Sequence, residues 1–364
     1  EGSEKALADK LKQAFLDQDL PNIETYLALT HCRLGAPHSK IPERYVVIQK
    51  SPDPSILAEN RLELIKQFWK RIDEERENLD SQLQDNRYAA EKVEWLTSLL
   101  KAALLSREIA SPGKAYMPYA ENAAKALIQL LESNELPYVS RAYAALALMD
   151  LYDVTQEKQY LKAADDIRQG FQRAEMTPDF MRNAAIAAVL ARSARIRGDQ
   201  DLLNKAHKWL WKGSLSGMID SGANAGNFID PYTQYLENRY RLTGLVYEVY
   251  EATPDKNANK QKIRQALSQM GEAVFKQFRE NKGIQAGDWE ARFLCHMAAL
   301  NFKAELKDAK IKDGQDLLKW YIRMRNFMLA DMVARLNAQD MRKRNSVLTS
   351  PYSIVCMLSK SIKN

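Results

Sequence analysis

Residues 137–167 (PYVSRAYAALALMDLYDVTQEKQYLKAADDI) align without a gap on residues 179–209 (DFMRNAAIAAVLARSARIRGDQDLLNKAHKW), an echo at a spacing of 42 residues. Each copy starts polar and runs through a small, Ala-rich apolar segment. It then turns through a short polar stretch (154–158 against 196–200) and continues into a more amphipathic segment. A period of this length marks stacked helix pairs, each too small to bury its own apolar face.

Most of the remaining chain has the same 3.6-residue rhythm. Only 14 glycines and 12 prolines punctuate the 364 residues, and alternating β-branched runs are nearly absent. The exception is YVVIQ at 45–49, a short extended segment in the loop-rich region 30–54. Helices are predicted over 5–18, 55–84, 87–109 and 119–132, then in the two echoing pairs, then over 231–251, 258–281, 288–306, 313–336 and 351–363. These make about five to six pairs with no Ser-, Pro- or Gly-rich linker between them. Residues 87–364 are therefore read as one continuous helical-hairpin domain, preceded by an N-terminal helical extension over 1–86.

Within each pair the first helix is dense in small residues (Ala142, Ala144, Ala145, Ala147; Ala184, Ala185, Ala187, Ala188, Ala191) and the second carries charge on one face. A helix apolar nearly all round belongs inside, and one with a charged stripe faces water. Small helices inside and amphipathic helices outside predict an all-α fold, an α/α toroid: an incomplete or complete (α/α)5–6 barrel of antiparallel helix pairs. An open tetratricopeptide-type superhelix has a shorter period of ~34 residues. The turns YDVTQEKQYL (152–161) and RGDQDLL (197–203) resemble the inner-to-outer turns of α/α-barrel carbohydrate-active proteins. That resemblance covers about residues 87–336. It implies a toroid whose cavity takes a saccharide, in a superfamily that holds both glycoside hydrolases and polysaccharide lyases.

Composition excludes several other classes. Hydrophobic residues at 46% and charged residues at 27% are those of soluble globular chains. No stretch reaches the ~20 apolar residues that span a bilayer. The net charge of +6 mildly favours an anionic partner, but 53 basic and 47 acidic residues are mixed along the chain and no basic block marks a nucleic-acid arm. The cysteines Cys32, Cys295 and Cys356 are far apart and odd in number, so they frame no disulfide scaffold. No GxGxxG, Walker A, HExxH or EF-hand pattern is present, and His31, Cys32 and His38 lack a fourth zinc-type ligand. No cofactor and no metal are expected. The given sequence opens without a basic segment and apolar core. An exported protein whose signal peptide has been removed fits equally well, so the compartment stays open.

In a toroid the cavity mouth is built by the loops leading into the inner helices, where unpaired N–H groups converge. Residues 217–241 (GMIDSGANAGNFIDPYTQYLENRYR) form a long polar loop and helix start. They supply Asn224, Asn227, Asp230, Tyr232, Tyr235 and Arg239, with Glu237 and Asn238 between. The plainer reading is a helix cap at Asp230 and tyrosines packed in the ring. Residues 283–296 (GIQAGDWEARFLCH) supply Asp288, Trp289, Glu290, Arg292 and His296, with Asp288, Arg292 and His296 on one helix face. His296 reads equally as a satisfied core histidine. Tyr116, Tyr119, Glu121, Asn122, Tyr138, Arg141, Asp179, Arg182, Asn183 and Tyr352 stand at further helix starts.

Two mechanisms suit this kit. Hydrolysis needs two carboxyl groups flanking the scissile bond, from Asp220, Asp230, Asp288 and Glu290. Uronate elimination needs a cation or amide at the sugar carboxylate (Asn224, Asn227, Arg239, Arg292) and a base at the α-proton (Tyr235, His296). The alternative is a non-catalytic helical scaffold binding a polysaccharide, a peptide or a partner protein. The enzyme and scaffold readings separate on whether the polar helix starts converge on one deep pocket: a convergent set with a carboxylate pair marks an enzyme, dispersed caps a scaffold.

Overall fold

Packing of the Ala-rich helices decides the architecture, and a computed structural model shows how. It describes residues 61–75, 89–109, 114–133, 135–221, 224–230, 233, 236–281, 292, 293, 295–297, 300, 352 and 355. The extended segment expected at 45–49, Cys32 and Cys356 lie outside them. The chain divides into two compact units: Glu1–Gln82, Ile109–Ser111 and Phe275–Asn364 form the first, and Leu83–Glu108 and Pro112–Val274 the second.

In the first unit, α1 (Arg61–Glu74) buries Leu64, Ile65, Phe68, Trp69 and Ile72 along one stripe. The rings of Phe275 and Phe293 meet at 5.5 Å in the same unit.

The second unit is a succession of helical hairpins: α2 (Ala89–Ile109, up to Glu108 in this unit) with α3 (Met117–Ser133), α4 (Tyr138–Thr155) with α5 (Lys158–Gln172), α6 (Phe180–Arg197) with α7 (Gln200–Lys208), and α8 (Leu236–Ala252) with the part of α9 (Ala258–Asn281) up to Val274. In α6 every residue from Asn183 to Ala194 is buried, and α4 is buried almost as continuously from Ala142 to Met149. Helices buried all round are inner helices. By contrast α5 buries only Tyr160, Ala164, Ile167 and Phe171, one stripe at helical spacing, and α3 only Ala120, Ala123, Ala124 and Leu127 on a comparable stripe. Inner helix α6 packs against inner helices α4 and α8, while α5 and α7 lie on α4 and α6. Alanines make this possible, since a short side chain lets three helices share one neighbour.

The expected polar turns end the inner helices. Gln156 and Gly198 take left-handed conformations (φ 60° and 67°) just past α4 and α6. Asp179 and Asp199 then cap α6 and α7, accepting from the backbone N–H of Arg182 (3.0 Å) and Leu202 (2.9 Å). After α7 the chain continues as a π-helical stretch, Trp209–Ser214.

Two local networks hold the chain beyond α7. The segment 217–230 is a closed hairpin with Met218 bridged to Phe228: the N–H of Ile219 donates to Asn227 O (2.8 Å), that of Gly226 to Ile219 O (2.7 Å) and that of Ile229 to Gly217 O (3.0 Å). Gly226 has φ 81°, and a Cβ there would stand 2.1 Å from the carbonyl oxygen of Gln269. The second network is centred on buried His207. Asn259 Nδ2 donates to His207 Nδ1 (3.0 Å), which leaves Nε2 to donate to Thr253 Oγ1 (3.1 Å), and that hydroxyl donates to Val249 O (2.7 Å). The Trp211 indole closes it by donating to Asn259 Oδ1 (3.2 Å).

Gly226→Ala is expected to lower unfolding stability by about 2–3 kcal/mol in urea denaturation, through a strained φ and a backbone clash. Gly198→Ala, whose new Cβ meets no atom within 4 Å, should cost only about 1 kcal/mol. Burial lowers the His207 pKa below its ordinary 6.5. The unfolded chain therefore binds that proton more readily. The stability His207 contributes is full above about pH 6.5 and is lost as pH falls through that value toward the folded-state one. Melting temperature should drop between about pH 7 and pH 5, and His207→Gln should flatten that slope.

Candidate functional site

The starts of the inner helices α2, α4, α6 and α8 converge on one cavity of about 880 Å3 in the second unit. Its walls are the first two turns of each helix: Ala90 and Glu94, Pro137 to Ser140, Asp179, Met181 and Arg182, and Glu237, Asn238 and Arg241. Three carboxylates and two guanidiniums face it.

Arg241 is saturated. Its Nη1 donates to Glu94 Oε1 (2.6 Å) and its Nη2 to Glu94 Oε2 (3.2 Å), while Nη2 and Nε also reach Glu237 Oε1 (2.9 and 3.1 Å). Burial opposes the Arg241 charge, but Glu94 and Glu237 outweigh it and hold the guanidinium above its ordinary pKa. The Glu237 side chain remains 63% exposed, against 26% for Glu94. Arg182 is different: its guanidinium carbon lies 4.2 Å from the centroid of the Tyr138 ring, and that ring stacks on Phe171 at 5.2 Å.

Below the mouth lies a second layer. Lys101, Asp150, Arg192 and Glu248 each stand twelve residues after the first residue of their inner helix. In chain order their charges alternate in sign. Lys101 Nζ bonds Glu248 Oε1 (2.8 Å) and pairs with Asp150 Oδ2 (3.5 Å), and Arg192 Nη2 bonds Asp150 Oδ1 (2.5 Å) and Asp153 Oδ2 (2.8 Å). Burial pulls the Lys101 pKa down, but Glu248 and Asp150 outweigh it and the net shift is upward. The Glu94–Arg241 and Lys101–Glu248 pairs are both 147 residues apart in sequence. Two ion-pair rungs of opposite polarity therefore join α2 and α8 in a single register. Seven residues separate the rungs, about 10 Å along a helix.

The candidates named from sequence are scattered by the fold. Asn227 Oδ1 accepts a hydrogen bond from Arg239, whose side chain is buried and whose pKa burial lowers. The two staple the 217–230 hairpin to α8 and do not line the cavity. Asp230 Oδ1 accepts from the N–H of Thr233 (2.9 Å), and its Oδ2 is buried without a hydrogen-bond partner among the described residues. Asn224 is exposed in the turn of the hairpin. The guanidinium of Arg141 lies over the Phe171 ring at 5.9 Å, toward outer helix α5. Tyr119 is half-buried in the first turn of outer helix α3 and does not line the cavity. In the first unit Arg292 lies over the Tyr352 ring at 5.6 Å, with His296 four residues on. Tyr232, Tyr235, Asp288, Trp289 and Glu290 lie outside the described residues.

Sequence reasoning missed Glu94, Ser140 and the charged layer. A charged residue inside an Ala-rich run, at matching positions 150 and 192 of the echo, was the available signal for the layer. Among the described residues no group of three or more His, Cys, Asp or Glu is placed to hold a metal ion. Among them, too, no helix is long and apolar enough to cross a membrane.

No protein-family model and no curated protein matches this sequence. Solved structures do. A polysaccharide lyase superposes with a TM-score of 0.52 at 10% identity, covering 84% of this chain and 96% of the lyase. The Lin0763 protein of Listeria innocua superposes at 0.51 and 14%, covering 74% and 85%. The fold is the α/α toroid. The GH76A α-1,6-mannanase of Salegentibacter sp. HEL1_6 gives 0.49 at 12% identity, covering 74% and 88%. At such identities the likeness is one of architecture.

Lys101→Met is expected to destabilise the protein by about 3 kcal/mol in urea, because it strips Glu248 and Asp150 of a partner. Lys101→Met/Glu248→Leu should recover much of that loss, since removing both charges of a buried pair is far cheaper than removing one.

Proposed function

We propose that this is a carbohydrate-active protein that binds an oligosaccharide or polysaccharide in the mouth cavity of the second unit and cleaves it there. The observation that carries the reading is convergence: four inner helix starts present carboxylates, guanidiniums, an amide, a hydroxyl and a tyrosine to one cavity. A sugar needs such acceptors and donors for its hydroxyls, while the Tyr138 ring, stacked on Phe171, serves to hold Arg182. The cavity volume falls within the range of small-molecule sites, roughly 300–1,000 Å3.

Glu94 and Glu237 are the carboxyl pair proposed for acid and base roles, and both hold Arg241. Of the candidates named from sequence, Tyr232 and Tyr235, just ahead of α8 in the chain, stay in the proposal; Asn224, Asn227, Asp230, Arg239, Arg141 and Tyr119 do not line this cavity, and Asp288, Trp289, Glu290, Arg292, His296 and Tyr352 belong to the first unit. A second reading, binding without cleavage, is favoured by one fact: Glu94 and Glu237 are already tied to Arg241, and Asp179 to its helix cap.

The full chain screened against neutral and uronic-acid oligosaccharides, for new reducing ends and for unsaturated-uronate absorbance, should turn over one class. Glu237→Gln should lower that turnover by about 100-fold or more with the melting temperature unchanged. A thermal shift without turnover selects the binding protein. Neither shift nor turnover on any saccharide contradicts the proposal.

A further inference from the structure

We infer that the mouth cavity contains an oxyanion subsite, built by Arg182, Ser140 and the start of α4, which takes the carboxylate of a uronate residue and makes the substrate an acidic saccharide. The inference rests on the cavity being the saccharide site.

The first observation is an imbalance between the two guanidiniums. Arg241 has both oxygens of Glu94 and one of Glu237. Arg182 has no carboxylate partner among the described residues, and its charge rests on the Tyr138 ring at 4.2 Å. Tyr138 is itself held by stacking on Phe171, so Arg182 is oriented in advance. A planar guanidinium fixed this way offers paired N–H donors to a carboxylate, the strongest geometry available to it.

Ser140 supplies the second observation. It is 4% exposed and lines the cavity, yet its hydroxyl makes no hydrogen bond among the described residues. Buried hydroxyls are normally satisfied, so this one is left for something that enters the cavity. It opens onto the same cavity as Arg182 from the first turn of α4.

The helix start agrees with both. Pro137 at the N-cap of α4 offers no side-chain cap, whereas α6 is capped by Asp179. Tyr138, Val139 and Ser140 line the cavity at the positive end of the α4 dipole, and this helix start carries no side-chain cap.

The neighbours decide which anion. Glu94, Asp179 and Glu237 line the same cavity. They would repel a phosphate dianion, but Glu237 and Asn238 can accept hydrogen bonds from sugar hydroxyls. A single carboxylate on a hydroxylated ring satisfies both halves of the cavity.

The test is titration calorimetry on the full chain with oligouronates, their carboxyl-reduced neutral counterparts of identical linkage, and inorganic phosphate. An oligouronate should bind about ten- to a hundredfold more tightly than its neutral counterpart. Arg182→Gln should erase that preference, bringing the oligouronate's affinity down to that of the neutral sugar, with Arg182→Lys intermediate because it keeps charge without the fork. Ser140→Ala should weaken the oligouronate by a smaller factor. Equal affinity for charged and neutral sugars, or an oligouronate preference intact in both Arg182 variants, overturns the subsite while leaving the saccharide reading standing. Phosphate binding as tightly as the oligouronate, with the same Arg182 dependence, overturns the acidic-sugar assignment. Binding of no saccharide at all removes both.

Discussion

Lys101, Asp150, Arg192 and Glu248 meet at one depth of the inner helices, and the rest of the second unit depends on that layer. Inner helices built from alanine pack closely, but alanine carries little information about register, because one small side chain is much like the next. Charges half out of water are intolerant of displacement: a slip of one residue in any of the helices would leave a carboxylate or an ammonium without its partner. Such a layer need not raise net stability, since the desolvation it demands is large. Its contribution is alignment. The Glu94–Arg241 pair repeats the α2–α8 register two turns nearer the mouth, so the depth of the cavity and the placement of its carboxylates derive from the layer beneath.

Above that layer the division of labour among mouth residues is electrostatic. Arg241 is consumed in holding Glu94 and Glu237, which fixes two carboxylates on facing helices. Arg182, stacked on Tyr138, keeps its polar edge for a ligand. Asp179 serves the α6 backbone. A mouth in which every charge were paired internally would be a cap on a core. This one retains a cation, a buried hydroxyl and an uncapped helix start.

The architecture was legible from sequence because it rests on local periodicity. The echo at 42 residues placed α4 to α7, and the Asp179 and Asp199 turns were visible in the residues that open the second copy and its polar turn. Asp150 and Arg192, which bond each other, are separated by that same 42 residues. Their pairing was hidden because each looks like an isolated charge until the helices are set side by side. The 217–230 segment shows the opposite limit. Its glycines and asparagines read as an open sugar-binding loop, yet Gly226 is there to let the chain pass against Gln269, and Asn227 is there to hold buried Arg239. Composition distinguishes a polar loop from a core; it does not say whether the loop's polar groups face a ligand or one another. Glu94 escaped notice for a related reason, lying in the second turn of its helix rather than in the loop leading into it.

The most direct test of the central claim is a crystal structure of the full chain with a bound oligouronate. The saccharide should lie against the first turns of α4, α6 and α8, with a sugar carboxylate on Arg182 and Ser140 and hydroxyls on Glu237 and Asn238. A saccharide bound instead around Arg292 and Tyr352 in the first unit, with the mouth of the inner helices empty, would contradict it.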